Sequence, residues 1–352
     1  MMNIFKSPKQ PSLPTVTLLF AALGLLWSPT RATSADEKVK IKLATIVPTG
    51  SSYHKSLLRM RDKWRQVSGG RVDVVIYEGN KAAGEAESVG LMQVDQLQAS
   101  LLSSTGLSEI EPAVLGLQAM PMSFQSLAEV DYVGEKLQPM LEKRLLAKGY
   151  VALFWSDVGW VRFFSKKLVV HPADMKKMKL FSWAGSASQV ESYKAAGFNP
   201  VPLETADVLP SLTTGLIEAV PMPPFAALGM QIDQRAPYVL ELNWGVLVGA
   251  LVITQKAWDR IPEDLKPALR AAALEAGREN KAAGRAESEE SMLKMKQRGA
   301  TVTKVTPEIE AEWRQTVESV VDTIRGKIVP ADVFDETQRL IQEYRANQKS
   351  AK

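Results

Sequence analysis

Short apolar segments alternate with amphipathic segments along most of the chain, and this alternation constrains the fold more than any other feature. Residues 39–46 alternate apolar and polar side chains, which predicts a strand leading into a core. Ser51 or Ser52 can cap the helix that follows, and Gly69-Gly70 ends it. Strand–helix alternation of this kind predicts α/β architecture.

The same patterns predict the remaining elements. Apolar or alternating runs predict strands at 71–77, 97–102, 151–155, 162–165, 179–183, 216–220 and 244–253. Capping residues and glycine stops predict helices at 85–94, 126–148, 188–196 and 206–214, a long one from 264 to about 296, and another from 306. The strand 244–253 is long and apolar, which is typical of a strand that crosses between two lobes.

The first 35 residues predict a cleaved secretion signal. Lys6 and Lys9 precede the apolar run 16–27, and Thr33-Ser34-Ala35 suits cleavage before Asp36. A membrane anchor would need about 20 apolar residues, so this run is too short. The chain contains no cysteine, which excludes lipid attachment at a leader cysteine and any disulfide. We therefore expect a protein of the bacterial periplasm.

The charge of the chain is nearly balanced once the leader is set aside. The whole chain has 43 Lys and Arg against 39 Asp and Glu, and the leader contributes three basic residues and no acid, leaving 40 against 39. No basic stripe with interleaved aromatic residues is visible, so nucleic acid is not an expected partner. The 317 residues after the leader are enough for two lobes.

Catalytic and metal-binding patterns are scarce. The chain has two histidines, His54 and His171, and lacks a nucleophile elbow, a phosphate loop and a G-x-G-x-x-G motif. A histidine–cysteine metal cluster is excluded. Glu287 and Glu290 lie in a helix that resembles a charged, solvated face. We therefore predict no enzyme, no metal and no cofactor.

Several segments, in this order and spacing, resemble the extracytoplasmic solute receptors of tripartite ATP-independent periplasmic (TRAP) transporters, the DctP type. They are KIKLATIVPTGSSYHKSL, SGGRVDVVIYEGN, SKKLVVHPADMKKMKLF, AAGFNPVPLETADVLPSLTTGLIEA and VITQKAWDRIPEDLKPAL. The resemblance covers essentially the whole chain after the leader.

This resemblance implies a two-lobed α/β fold of the periplasmic-binding-protein class, type II-like, with a long helix spanning both lobes. We assign residues 36–157 plus 246–286 to lobe I and 158–245 plus 287–347 to lobe II. The resemblance also implies a small organic solute as ligand and TRAP membrane permease subunits as partners, with an accessory helical-repeat periplasmic protein as a further candidate partner.

Three positions depart from the pattern of these receptors. The arginine that usually clamps a ligand carboxylate falls at Phe181, the usual asparagine falls at Met222, and a second common arginine falls at Trp160. Arg162 lies two residues after Trp160, so on a strand it would point to the same face and could take an acidic end. Because phenylalanine cannot replace a bidentate arginine, these departures favour an apolar or amphipathic ligand.

The predicted ligand contacts combine these positions with nearby aromatic residues and polar residues of the first lobe. They are Tyr53, Ser104, Thr105, Trp155, Trp160, Arg162, Phe181, Trp183, Met222, Phe225 and Trp244. The sequence leaves two alternatives open. One is a classical organic-acid receptor using Arg162, and the other is an exported enzyme or lipid-handling protein on the same fold.

Overall fold

The computed structural model describes residues 38–79 and 84–350. The predicted signal peptide lies outside the described residues. None of the helices in the described part of the chain has both the length and the apolar character needed to cross a bilayer.

Strands and helices alternate through the described chain. The strands are β1 Val39–Thr45, β2 Val72–Glu78, β3 Ala99–Ser103, β4 Tyr150–Ser165, β5 Lys179–Trp183, β6 Asn199–Leu203, β7 Ala219–Met222, β8 Tyr238–Thr254 and β9 Thr301–Lys304. The helices are α1 Ser52–Val67, α2 Glu85–Gln93, α3 Ser104–Ser108, α4 Leu127–Ala147, α5 Pro172–Met175, α6 Ala187–Ala195, α7 Val208–Thr214, α8 Pro224–Gly229, α9 Gln255–Asp259, α10 Lys266–Gln297, α11 Pro307–Glu318, α12 Val321–Ile324 and α13 Ala331–Ser350. Short 3-10 helices lie at Pro112–Leu117, Thr205–Asp207 and Ile232–Gln234.

The strands form one mixed sheet in the order β2-β1-β3-β8-β4-β7-β5-β6, and β9 pairs with β8. Two long antiparallel strands, β4 and β8, lie at its centre. The second half of β8 pairs with β3, whereas its first half pairs with β9. We call the β2-β1-β3 end lobe I and the β7-β5-β6 end lobe II. The two lobes therefore share the strands that connect them.

Helix α10 runs along both lobes. Its first half packs against α1 of lobe I, where the Trp64 indole donates a hydrogen bond to the Leu269 carbonyl at 2.9 Å. Its last turns pack against α8 of lobe II, and Met292 and Met295 belong to the core of that lobe. The predicted α/β class and the long spanning helix are both present.

Local sequence signals explain most element ends. The Ser51 side chain accepts a hydrogen bond from the His54 amide at the start of α1, and the Ser126 side chain accepts one from the Glu129 amide at the start of α4. Gly215 ends α7 with a left-handed backbone, φ 79°.

One prediction about the strands was wrong. The segments 151–155 and 162–165 are not separate strands but two ends of β4, which continues through a bulged centre. The residue boundaries assigned to the two lobes stay a prediction.

Candidate functional site

A cavity of about 590 Å³ lies between the two lobes. The loop after β1 and the end of β3 form its lobe I side, and residues 222–230, including α8, form much of its lobe II side. The centres of β4 and β8 and the second half of α10 complete the wall. Both lobes and the strands that connect them therefore contact whatever occupies this space.

The lining of this interlobe cavity is mainly apolar. The apolar side chains that reach it are Ile46, Val47, Pro48, Leu101, Leu102, Val158, Trp183, Met222, Pro223, Phe225, Ala226, Leu228, Met230, Leu247 and Val248. Of the predicted contacts, Tyr53, Trp183, Met222 and Phe225 are among the lining residues. The structure therefore brings these four together.

A narrower side pocket of about 90 Å³ adjoins the interlobe cavity and shares Trp183, Met222, Pro223 and Leu247 with it. Two further predicted contacts, Thr105 and Trp244, line this pocket. The Trp244 ring packs 5.2 Å from the Phe163 ring and 6.0 Å from the Trp313 ring, centroid to centroid. Trp244 therefore packs in the aromatic core and also lines the side pocket.

Glu85, at the first turn of α2, is an acidic residue held in a fixed position at the interlobe cavity. One carboxylate oxygen accepts a hydrogen bond from the Ser103 amide at 2.5 Å, and the other accepts one from the Ser103 hydroxyl at 2.6 Å. Gly106 makes room for the side chain, because a Cβ there would lie 2.7 Å from the Glu85 Cβ. Desolvation raises the pKa of Glu85, although the hydrogen bonds from Ser103 and Gly106 oppose this.

Three further acidic residues line the cavity. The buried Asp157 is paired with Arg285 at 2.7 Å, and Glu290 is paired with Lys294 at 2.7 Å. Glu287 accepts a hydrogen bond from the Ser52 hydroxyl at 2.7 Å. Lys294 is the only Lys or Arg among the described residues that line the cavity. The described wall therefore carries more negative than positive charge.

Arg162 and Trp160 lie outside the interlobe cavity. Both line a separate pocket of about 250 Å³ between β4 and α10, which we call the α10 pocket, and no described residue lines both spaces. The Arg162 guanidinium donates hydrogen bonds to the Leu242 carbonyl at 2.8 Å and the Asn243 side chain at 2.6 Å. Desolvation lowers the pKa of Arg162, and Glu241 and Glu289 oppose this shift.

The irregular pairing of β4 explains this placement. The register against β8 shifts between Asp157 and Trp160 and again between Val161 and Phe163, and Gly159 has a left-handed backbone, φ 79°. Val161 consequently lines the side pocket, whereas Trp160 and Arg162 face the α10 pocket. The two residues do share a face, as alternation predicts, but that face is not turned to the interlobe cavity.

The other predicted contacts are buried or form hydrogen bonds within the protein. Phe181 is fully buried in the core of lobe II, and the Trp155 indole donates to Glu142 on α4 at 3.3 Å. The buried Ser104 hydroxyl donates to the Val248 carbonyl at 3.0 Å. Tyr53 lines the cavity, but its hydroxyl donates to the Asp157 carbonyl at 2.8 Å. The structure does not bring Phe181, Trp155 or Ser104 to the cavity wall.

Sequence reasoning missed the charged part of the wall. The sequence predicts a solvated face for Glu287 and Glu290, but Glu287 is half-buried and turned to the cavity, while Glu290 is exposed at its edge. Glu85 has one signal in the sequence: it follows Gly84 directly at the start of the helix predicted at 85–94. That signal does not predict that the Glu85 side chain contacts Ser103 at the end of β3.

Comparison with known proteins points to one family. Residues 43–327 match the model of the bacterial extracellular solute-binding protein, family 7. The C4-dicarboxylate-binding periplasmic protein DctP of Rhodobacter capsulatus is 24% identical over 296 residues, which cover 83% of this chain and 88% of that protein.

Solved structures share the fold. A TRAP periplasmic solute binding protein from Sulfurospirillum deleyianum with bound succinate superposes with a TM-score of 0.77 at 21% identity, covering 86% of this chain and 98% of that one. Another from Desulfovibrio salexigens with bound orotic acid has a TM-score of 0.80 at 16% identity, covering 88% and 99%.

Proposed function

Because the chain belongs to the bacterial extracellular solute-binding protein family 7, we propose that its interlobe cavity binds a small organic solute that is mainly apolar or amphipathic. The TRAP-receptor family and the two-lobed fold predicted from the sequence are confirmed. The family and the fold are those of solute receptors, not of enzymes, so the alternative of an exported enzyme is not supported.

The apolar wall of the interlobe cavity carries this proposal. Leu101, Leu102, Met222, Phe225 and Leu247 offer apolar surface from both lobes and from the shared strands. Burying apolar surface contributes roughly 25 cal/mol per Å², and a buried Phe or Leu side chain contributes about 1.5–3 kcal/mol. A solute with an apolar body gains this free energy from both lobes at once.

The same wall is a poor site for a carboxylate. The Arg162 guanidinium lies in the α10 pocket with its own acceptors, and Lys294 is paired with Glu290. A carboxylate buried without a partner costs several kcal/mol. The fixed acceptor at the cavity is instead Glu85.

A classical organic-acid receptor is the second candidate. The observation that favours it is the chemistry of relatives: the Rhodobacter capsulatus protein is named for C4-dicarboxylates, and the Sulfurospirillum deleyianum structure holds succinate. For an acid to bind here, Arg162 would have to leave its present acceptors and reach the interlobe cavity.

Delivery and location complete the proposal. We infer that residues 1–35 direct export to the periplasm and that the loaded receptor hands its solute to TRAP membrane permease subunits. An accessory helical-repeat periplasmic protein is a further proposed partner. The relatives named as periplasmic proteins support the location.

The first test is native mass spectrometry of the protein purified from a periplasmic extract, with released small molecules identified after denaturation. We expect a co-purifying amphipathic or apolar compound. A bound dicarboxylate would overturn the proposal in favour of the acid receptor. If the protein is empty, titration with the neutral apolar dye N-phenyl-1-naphthylamine, against succinate, decides between the two.

Replacing Phe225 with alanine should weaken dye binding about tenfold or more. Loss of a buried aromatic contact removes about 1.5–3 kcal/mol, and 1.4 kcal/mol corresponds to a factor of ten. Fluorescence titration measures the dissociation constants. Leu146→Ala is the control, because Leu146 lies on α4, is exposed and does not line the cavity. If F225A and L146A bind the dye with equal affinity, the dye binds outside the interlobe cavity.

A further inference from the structure

The interlobe cavity combines an apolar wall with four acidic residues, two of which pair with no cation of the described chain. Of its four acidic residues, Asp157 is neutralised by Arg285 and Glu290 by Lys294. Glu85 accepts hydrogen bonds from Ser103 and from the Gly106 amide, Glu287 accepts one from Ser52, and neither carboxylate forms an ion pair with a Lys or Arg of the described chain. Two carboxylates at the wall therefore have no positively charged partner among the described residues.

Glu85 is positioned as an acceptor and is not a mobile surface side chain. Ser103 fixes both of its oxygens, one through the amide and one through the hydroxyl, and Gly106 leaves the space that the side chain fills. A carboxylate has about four lone-pair sites, and Ser103 and the Gly106 amide use three of them, so one site remains for a further hydrogen bond. The Glu85 carboxylate can therefore accept a hydrogen bond from a ligand in the cavity.

We propose that the polar end of the ligand is a cation, so that the solute is an amphipathic amine whose ammonium group contacts Glu85. This rests on the proposed function, since it names the charge of the solute that the apolar cavity takes. Glu287 adds a second negative charge from α10. Trp183 and Phe225 in the same wall add aromatic rings, which attract cations over their faces.

The electrostatics support this choice over an anion. An ammonium group would donate to Glu85 through charge-assisted hydrogen bonds, which are about twice as strong as neutral ones. It would also offset the desolvation that raises the pKa of Glu85. A carboxylate in the same place would meet two negative groups and no free cation among the described wall residues.

Three eight-carbon compounds separate charge from apolar character. Octylammonium, 1-octanol and octanoate share the same chain and differ in the end group. We expect isothermal titration calorimetry at pH 7 to give octylammonium the highest affinity, about tenfold above 1-octanol, with octanoate the weakest. An affinity for octanoate equal to or above that for octylammonium would overturn the proposal.

Charge-removing variants locate the contact. Glu85→Gln should reduce octylammonium affinity about tenfold and leave 1-octanol affinity within about twofold, and Glu287→Gln should reduce octylammonium affinity less. Glu289→Gln is the matched control, because Glu289 lies on the same helix but lines the α10 pocket. If E85Q and E289Q bind octylammonium with equal affinity, Glu85 only holds Ser103 in position and does not contact the ligand.

The outcomes distinguish the two proposals. If N-phenyl-1-naphthylamine and 1-octanol bind but octylammonium has no advantage, the cationic end group is wrong and the apolar cavity stands. If none of these compounds binds and succinate does, the proposed function itself fails. Should E85Q not fold, the comparison of the three compounds on the unmodified protein, together with E287Q, still decides.

Discussion

Arg285 joins two acidic side chains that come from different elements. Its guanidinium donates to both oxygens of Asp157 on β4, at 2.8 and 2.7 Å, and to both oxygens of Asp131 on α4, at 2.8 and 2.7 Å. Desolvation alone would lower the pKa of Arg285, but these hydrogen bonds raise it overall. Because the Asp157 side chain is only 4% exposed, this pair neutralises a charge at the centre of the shared strands.

Replacing Arg285 with methionine should lower the free energy of unfolding by about 3 kcal/mol. The change leaves a buried carboxylate without its main partner, and removing one member of a buried ion pair typically costs about 3–5 kcal/mol. Urea unfolding followed by circular dichroism measures the difference.

Arg278→Met on the same helix is the control for this substitution. Arg278 is exposed, so its replacement should change the stability by less than about 0.5 kcal/mol. The double variant D157N/R285M should recover part of the loss, because it removes the charge that R285M exposes. Equal stability of R285M and R278M would contradict the assignment.

Only part of the cavity wall could be predicted residue by residue. Met222 and Trp183 lie at the ends of short, regular strands, and the structure places both in the cavity wall. Arg162 follows a bulge at Gly159, and no pattern in the sequence shows which way a bulged strand turns its side chains. Glu85 depends on a contact with Ser103, 18 residues away, which alternation cannot reveal.

At the scale of elements, α10 packs closely because it carries glycine at two buried positions. A Cβ at Gly277 would lie 2.6 Å from the Phe154 Cβ, and one at Gly284 would lie 2.6 Å from the Tyr53 ring. These glycines let the helix approach β4 and α1, although glycine inside a helix costs about 1 kcal/mol relative to alanine.

Gly277→Ala should therefore destabilise the protein by about 1–3 kcal/mol, despite the better helix propensity of alanine. The added methyl group overpacks the contact with Phe154. The urea midpoint of unfolding measures this.

Gly90→Ala is the matched control for the helix propensity term. Gly90 lies in α2, and a Cβ there meets nothing within 4 Å. We expect G90A to be as stable as the unmodified protein or up to about 1 kcal/mol more stable. A stabilising G277A would show that α10 can move away from β4 without cost.

Most elements could be predicted because their ends carry local signals. Ser51, Ser126, Gly215 and Thr306 mark helix ends where the structure has them. The length of β4 could not be predicted, since Asp157 and Gly159 interrupt its apolar pattern. Arg285 neutralises the Asp157 carboxylate, and the β-bulge accommodates Gly159 within the strand. Both contacts form only in the folded protein, so the local sequence does not predict them.

At the scale of the whole molecule, the two lobes are joined by strands that also form the cavity wall. β4 and β8 contribute Asp157, Val158, Leu247 and Val248 to the cavity, while the loops on either side come from separate lobes. A ligand that contacts both lobes stabilises the arrangement in which they are closest.

Ligand binding should make the molecule both more compact and more stable. With octylammonium at 100 times its dissociation constant, the free energy of unfolding should rise by about 2.7 kcal/mol. Small-angle X-ray scattering should show a smaller radius of gyration, and thermal unfolding a higher midpoint. The F225A variant under the same conditions is the control, and a higher midpoint with an unchanged radius would contradict closure.

The position of β8 in the sheet has a consequence for how the chain is completed during synthesis. β8 lies between β3 and β4, yet it is made after every other strand except β9. A growing chain that ends before Tyr238 has β3 and β4 without the strand that joins them. Until Thr254 has been added, β3 and β4 therefore each lack one neighbouring strand, and neither lobe has its complete sheet.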